Sequence, residues 1–265
     1  MVKFFSLSSG SNGNCYYIGN EHTGLLIDAG IGPRTIKKRM QEHGLSVNDI
    51  EFVLVTHDHI DHIKSLGIVA QRFNVPVYAT EKLHRSLDTH FCTRSRLSGC
   101  VRKTVLGEES LYKGVKFIPF EVPHDATQTV GYYIDFYGVP FVFITDIGAV
   151  TDEIIDYCGR ARVLIIEANY DLDMLVNGSY SPLLKNRILN GSGHLSNEQC
   201  ASAIKRIYNH NLESIFLCHL SENNNTPGIA YKTVASALTQ IGVKVGSDVT
   251  LAALPRRESS LLYTF

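Results

Sequence analysis

The sequence has almost no net charge: 25 Lys and Arg stand against 26 Asp and Glu in 265 residues, a formal charge of −1. No global polycation or polyanion is at work, and any charged partner must be met by a local patch. Proline is scarce at 8 residues, and the 21 glycines sit in no repeat, which excludes collagen-like and low-complexity chains. No apolar run approaches the roughly 20 residues that span a bilayer. The opening segment, Met1 to Gly10, turns polar too soon for a signal-peptide core, and no membrane partner is expected. The six cysteines form no CxxC and lie mostly in apolar segments, as reduced thiols do, so a cytoplasmic location is expected. What is present is 44% hydrophobic and 19% charged residues, the composition of a globular protein with a sizeable core. Length alone admits one large domain or two small ones.

Apolar runs of strand length recur at Lys3 to Leu7, Cys15 to Ile18, Leu25 to Ile27, Glu51 to Thr56, Val75 to Ala79, Val115 to Phe120, Tyr132 to Phe136, Pro140 to Thr145, Val163 to Glu167 and Ser214 to Cys218. Helical periodicity appears at Pro33 to His43, Ile63 to Phe73, Asp152 to Cys158, Ser196 to Tyr208 and Ile229 to Ile241. The helix at Ser196 is the best specified: Ser196 and Gln199 fit a capping box, and Leu195 with Cys200 fits a hydrophobic staple. Tyr137 to Pro140 reads as a hairpin turn and Gly44 as a C-cap. Asp171 to Asn190 is poorly periodic and reads as a substrate loop. His22, His43, His84, His90 and His210 read as turn or polar-face residues without a role.

Chemistry accumulates at strand ends. Predicted strands run into His57, Asp146, Asn169 and His219, and ligands gather at the carboxyl ends of strands in layered α/β folds. The strongest signal is Thr56-His57-Asp58-His59-Ile60-Asp61-His62, three imidazoles and two carboxylates directly after an apolar strand. Such a cluster is costly to bury without a compensating cation. His57 and His59, two apart on extended chain, can face one ion, and Asp61 and His62 can turn to a second. The bland alternative makes Asp61 the N-cap of the helix from Ile63 and leaves the histidines solvated.

This run resembles the HxHxDH hallmark of the metallo-β-lactamase superfamily. His124 in Pro123-His124-Asp125-Ala126, Asp146 in Ile144-Thr145-Asp146 and His219 in Leu217-Cys218-His219-Leu220 follow in that family's order. The resemblance implies one domain over residues 1–265, an α/β fold built as a four-layer αβ/βα sandwich. It implies two divalent metal ions, one held by His57, His59 and His124, the other by Asp61, His62 and His219, with Asp146 shared. Two such ions about 3.5 to 4 Å apart activate a water and polarise the substrate oxygen, so hydrolysis is the expected reaction. Donors that are all N or O suit Zn, Mn or Fe. Cys218 should face the opposite side of its strand.

Further segments narrow the resemblance: Ser8 to Asn14, Ile166 to Asp171, Gly193 to Ser196 and His219 to Asn224 look like the WalJ (YycJ) group of small metallohydrolases, over residue 4 to about 225. That group resembles the nuclease branch, which implies a phosphodiesterase or exonuclease on DNA or RNA. Ser192 to His194 also looks like a motif of β-CASP nucleases, in which a histidine that holds no metal contacts the scissile phosphate. Only 47 residues separate Asp146 from His194, so the large β-CASP insertion is missing. Asp61 and His194 are the expected catalytic residues. His194 precedes a helix N-terminus, where it can donate to a phosphate oxygen. The loop Ser8 to Asn14 suits an anion and equally a plain turn. With the resemblance, Ser9, Ser11, Asn12, Asn169 and His194 are expected on the substrate side. Lys82 to Leu106 holds six cations against the single acid Asp88, which suits a phosphate backbone or a solvated surface. The alternative function on the same fold is hydrolysis of a small thioester, lactone or lactam. A regulatory metal-binding module without turnover would more naturally have lost a ligand.

Overall fold

Strand residues alternate between two faces, and here that alternation builds three apolar layers. In the computed structural model, which describes residues 1–265, the elements run β1 (Lys3–Ser8), β2 (Cys15–Gly19), β3 (Gly24–Ile27), α1 (Pro33–Glu42), β4 (Ile50–Leu54), α2 (Ile60–Ile63), α3 (Leu66–Phe73), β5 (Val77–Thr80), α4 (Glu81–Thr89) and β6 (Val101–Thr104). They continue with β7 (Ser110–Tyr112), β8 (Val115–Glu121), β9 (Val130–Phe136), β10 (Val139–Ile144), α5 (Asp152–Gly159), β11 (Val163–Glu167), α6 (Leu172–Asn177), α7 (Pro182–Leu189), α8 (Asn197–Ile207), β12 (Ser214–Cys218), α9 (Pro227–Gln240), β13 (Thr250–Ala253) and β14 (Tyr263–Thr264). Two seven-stranded sheets result, ordered β14-β1-β2-β3-β4-β5-β6 and β13-β12-β11-β10-β9-β8-β7.

Phe4, Tyr16, Phe52 and Leu54 of the first sheet meet Phe117, Phe141, Phe143 and Phe216 of the second in the central layer. Their sequence neighbours Phe5, Tyr17 and Val53 point the other way, onto α1, α3 and α4. Leu164, Ile166, Ile215 and Leu217 do the same beneath α5, α8 and α9. The result is the expected four-layer αβ/βα sandwich. Aromatic pairs tie the sheets together, with Phe4 and Phe216 ring centroids 4.8 Å apart and Phe52 and Phe117 stacked at 5.6 Å. Each fully buried Phe contributes about 1.5 to 3 kcal/mol.

Each sheet is antiparallel on one side and parallel on the other, and the change falls at β3 and at β10. The carboxyl ends of β3, β4, β10, β11 and β12 therefore open toward shared loops, where α/β sheets place ligands.

All ten predicted strands are present. β6, β7, β13 and β14 were not predicted; they are short, and they are the four edge strands of the two sheets. The single helix expected over Ile63 to Phe73 is α2 and α3, with a break at Lys64 and Ser65. His59 is the N-cap of α2, so Asp61 lies in the first turn and does not cap. The expected loop Asp171 to Asn190 is instead the two helices α6 and α7, started by the caps Asp171 and Ser181. Neither carries one continuous apolar stripe, which is why periodicity missed them. The capping box of α8, the Tyr137-Gly138 hairpin turn and the left-handed Gly44 stand as expected.

Candidate metal centre

Three residues leave their strands in the left-handed region: Asp28 after β3 (φ 61°), Asp146 after β10 (φ 53°) and His219 after β12 (φ 52°). A non-glycine residue there costs about 1 kcal/mol or more and persists where surroundings over-determine it. All three point into one cluster with the loop that follows β4. Ring and carboxylate atoms of His57, His59 and His124 lie within 4.8 Å of one another, as do those of Asp61, His62 and His219, and those of His57, His62 and Asp146. Asp146 Oδ2 is 3.1 Å from His62 Nε2, and its Oδ1 is 3.5 Å from His219 Nδ1 and 3.8 Å from His124 Nε2. Asp146 thus stands between the two groups. Asp61 Oδ2 is 3.3 Å from His219 Nε2, and His59 Nδ1 is 3.3 Å from His124 Nε2.

Hydrogen bonds behind the rings fix their tautomers. Thr56 Oγ1 donates to Asp28 Oδ2 (2.7 Å), so the His57 Nδ1–H donates to Thr56 Oγ1 (3.0 Å). That leaves the Nε2 lone pair of His57 buried with no partner. His62 Nδ1–H donates to Asp28 Oδ2 (2.6 Å), and His124 Nδ1–H to the Gly193 carbonyl (2.7 Å). In each case Nε2 is presented to the cluster, the arrangement found behind metal-bound histidines. A buried polar atom without a partner calls for an explanation, and a cation supplies it. The residues fit divalent metal, and an all-N/O donor set suits Zn, Mn or Fe.

Electrostatics agree. Asp28, Asp146 and Glu167 are buried carboxylates, and Asp61 is close beside them. Without a cation, protons must balance them. Burial opposes charge on His62, but Asp146, Asp61 and Asp28 outweigh it and push its pKa up to about 10. Burial likewise opposes charge on His219, which Asp146, Asp61 and Glu167 lift well above the usual range. Burial first and the charge of His62 second hold His57 well below it. Burial also opposes ionisation of Asp146, yet His219, His62 and His57 keep its carboxyl well below the usual range.

His194 stands beside the cluster, its ring 5.1 Å from His124 and 5.4 Å from His219, with a fifth of its side chain exposed. Its Nδ1–H donates to Glu167 Oε1 (2.8 Å), which turns Nε2 away from Glu167. Glu167 is itself fixed: Oε2 accepts from the Ile147 and Leu195 amides (3.0 and 3.1 Å), and Oε1 also accepts from His219 Nδ1 (3.1 Å). Ligand atoms of Asp146, Glu167, His194 and His219 also lie within 4.8 Å of one another, and with both of its oxygens bonded Glu167 orients the histidines.

The other expected residues divide. Ser9 is fully buried, its Oγ accepting from the His219 amide (2.9 Å) and bonded to Tyr16 Oη (2.8 Å). It braces His219 from behind and has no surface for substrate, contrary to expectation. Asn169 is buried and donates from Nδ2 to the His219 carbonyl (2.7 Å), but it also lines a cleft with Ser11 and His194. Asn12 is exposed on the rim and donates to Glu222 Oε2 (3.1 Å). Cys218 faces the central core, away from the cluster. His84 is no polar-face residue: it is buried, with Nε2 on the Arg102 carbonyl (2.9 Å). In the basic stretch, Glu81 pairs with Arg85 and Lys103, while Lys82 lines a groove with His124 and Thr127.

Sequence reasoning passed over Asp28, Glu167 and Asn14, whose Nδ2 donates to Asp61 Oδ2 (3.1 Å). Asp28 and Glu167 had a signal in common with Asp146: an acid at the carboxyl end of an apolar strand.

Residues 23–219 match the beta-lactamase superfamily domain. The exodeoxyribonuclease WalJ of Streptococcus pneumoniae is 33% identical over 246 residues, 93% of this chain and 91% of its own. The exodeoxyribonuclease YycJ of Bacillus anthracis is 33% identical over 250 residues, 92% of each. Among solved structures, the metallo-beta-lactamase fold protein YhfI of Bacillus subtilis superposes over the whole of both chains with a TM-score of 0.73 at 13% identity. A diphosphatase from the PhnP family gives 0.68 at 18% identity, covering 100% of this chain and 98% of its own. These two likenesses concern the fold. With a domain match across residues 23–219 and relatives aligned nearly end to end, the chain belongs to the beta-lactamase superfamily and, within it, to the family of WalJ and YycJ.

Proposed function

We propose that this protein is a binuclear metal-dependent exonuclease that hydrolyses phosphodiester bonds of DNA. The observation that carries the reading is 33% identity along 93% of the chain to a protein named exodeoxyribonuclease, together with an uninterrupted donor set. His57, His59 and His124 would hold one ion and Asp61, His62 and His219 the other, with Asp146 shared. Bound divalent ions supply a water whose pKa falls toward about 7 and a Lewis acid for the phosphate oxygen. The protein supplies the rest. Thr56, Asp28 and Gly193 keep the rings in ligating tautomers, and Glu167 holds His194 so that Nε2 can donate to a phosphate oxygen or protonate the leaving oxygen. One folded unit over residues 1–265 fits a central layer to which both sheets contribute. Six unpaired cysteines support a reducing, cytoplasmic setting.

Purified protein given Mn or Zn and assayed on labelled single-stranded DNA, RNA and a generic thioester tests the reading. DNA cleavage that is abolished by chelator is expected. Turnover of the thioester alone would replace the nuclease with the acyl hydrolase.

A further inference from the structure

Two depressions flank the metal centre, and they differ in kind. One is the groove of Lys82, His124, Thr127 and Gln128, with Glu121 and Glu153 also in its lining, and it runs beside the start of α4. The other lies beyond His194 and is walled by Tyr180, Leu184, Arg187 and Ile188, with Ser11 and Ser221 opposite. Leu184, Arg187 and Ile188 stand at i, i+3 and i+4 and so share one face of α7. Tyr180, Leu184 and Ile188 also belong to a small apolar cluster of their own, apart from the three main layers. An aromatic ring beside aliphatic side chains and a guanidinium is the lining that takes a base and its phosphate.

This second cleft is bounded on its sides by ties between its walls. The Asn223 Nδ2 donates to Tyr180 Oη (3.2 Å), joining the loop after β12 to the loop before α7. Asn12 and Arg257 both reach Glu222, and Arg187 pairs with Asp125 next to His124. Neighbouring loops are thus fastened to one another around the cleft, as the Thr127 bonds to Asp58 and Ser86 fasten the walls of the Lys82 groove.

We infer that the Tyr180 cleft is a terminal-nucleotide subsite: the scissile phosphate lies at His124 and His194, and the single end nucleotide sits in the cleft with its base on Tyr180. The inference rests on the nuclease reading and deepens it. A cleft that takes the one nucleotide beyond the scissile phosphate gives mononucleotide products, and the exonuclease reading already requires a free terminus.

The test compares linear and covalently closed single-stranded DNA, and linear DNA whose end nucleotide is abasic. Linear DNA should be degraded to mononucleotides and circles left intact. Tyr180→Ala should raise KM on ordinary ends by about 5- to 150-fold, the range for a lost stacked base. On abasic ends it should change little, because the base is already gone, and Tyr180→Phe, which keeps the ring and loses only the bond from Asn223, should lose far less than Tyr180→Ala. Deoxyadenosine monophosphate should bind the parent and Tyr180→Phe and fail to bind Tyr180→Ala, a readout independent of turnover. Equal losses for Tyr180→Ala on ordinary and abasic ends would overturn the subsite and leave the exonuclease standing, whereas circles cut as fast as linear strands would overturn the exonuclease reading itself. Binding of the mononucleotide without cleavage of any DNA would overturn the nuclease and leave the subsite standing.

Discussion

At the scale of single residues, the centre is prepared before any ion arrives. Thr56, Asp28 and Gly193 each take the Nδ1 proton of one histidine, and Nε2 is left facing inward. His194 differs, because its Nδ1 is held by Glu167 and its ring stands at the margin, partly exposed. His194→Ala should therefore keep metal content while turnover falls by about 10²- to 10⁴-fold, the range for a lost general acid or oxyanion donor. His219→Ala should lose metal and turnover together, and Asp146→Ala should empty at least one site; elemental analysis beside the assay distinguishes them. If His194→Ala sheds an ion, its assignment is wrong. The histidines also give the metal-free protein a pH signature. The pKa of His62 is raised to about 10 by the carboxylates around it, against about 6.5 when unfolded. Its protonated pairs thus stabilise the fold fully below about pH 6.5, and that stability is lost as pH rises through about 10. Chelated protein should melt at progressively lower temperature from pH 7 to 10, and added metal should flatten the trend. A Tm of the chelated protein that climbs over that interval would contradict this account of His62.

At the scale of elements, local signals were legible where local physics decides. α8 has both halves of its capping box, with Ser196 Oγ accepting from the Gln199 amide (3.1 Å) and Gln199 Oε1 accepting from the Ser196 amide (2.8 Å). Ser196→Ala should lower stability by about 1 kcal/mol in denaturant unfolding, with a further loss of activity because the same turn carries His194. Buried strands such as Val163–Glu167 and Ser214–Cys218 announced themselves as unbroken apolar runs. α4 also escaped although its cap, Thr80, is local; the other elements that escaped depend on partners far away in sequence. Two-residue β14 forms because Tyr263 and Thr264 find Phe4 and Lys3. α6 and α7 close over Tyr170 and form their own small cluster, which no periodicity in 171–190 foretells. The same distinction separates the metal ligands from the residues behind them. HxHxDH is one contiguous string, while Asp28 acts on His62, 34 positions later, and Glu167 on His194, 27 positions later.

At the scale of the whole molecule, the segment after β13 fastens the others. Arg256 Nη1 donates to the Ser221 and Asn225 carbonyls, and the Arg256 carbonyl accepts from Ser8 Oγ (2.9 Å) and the Ser9 amide (3.3 Å). Loops from both sheets are thereby tied together directly behind His219. Arg256→Ala removes hydrogen bonds from a charged donor, worth about 1.5 to 3 kcal/mol, and should weaken metal binding although it touches no ligand. Retained metal affinity in a destabilised Arg256→Ala protein would limit its role to the fold. Beyond Arg256 the chain threads back to the first strand: Ser260 bonds Ser6, Phe265 exchanges backbone hydrogen bonds with Val2 (3.0 and 2.9 Å), and Tyr263 packs on Phe216. This has a consequence for synthesis. Chains are made from the N-terminus at about 5 to 20 residues per second, so every candidate ligand, His219 included, emerges before Arg256 does. A nascent chain can expose all its histidines early, yet the loop that presents His219 stays untied until Arg256 has left the ribosome, so this part of the centre is completed only by that late segment.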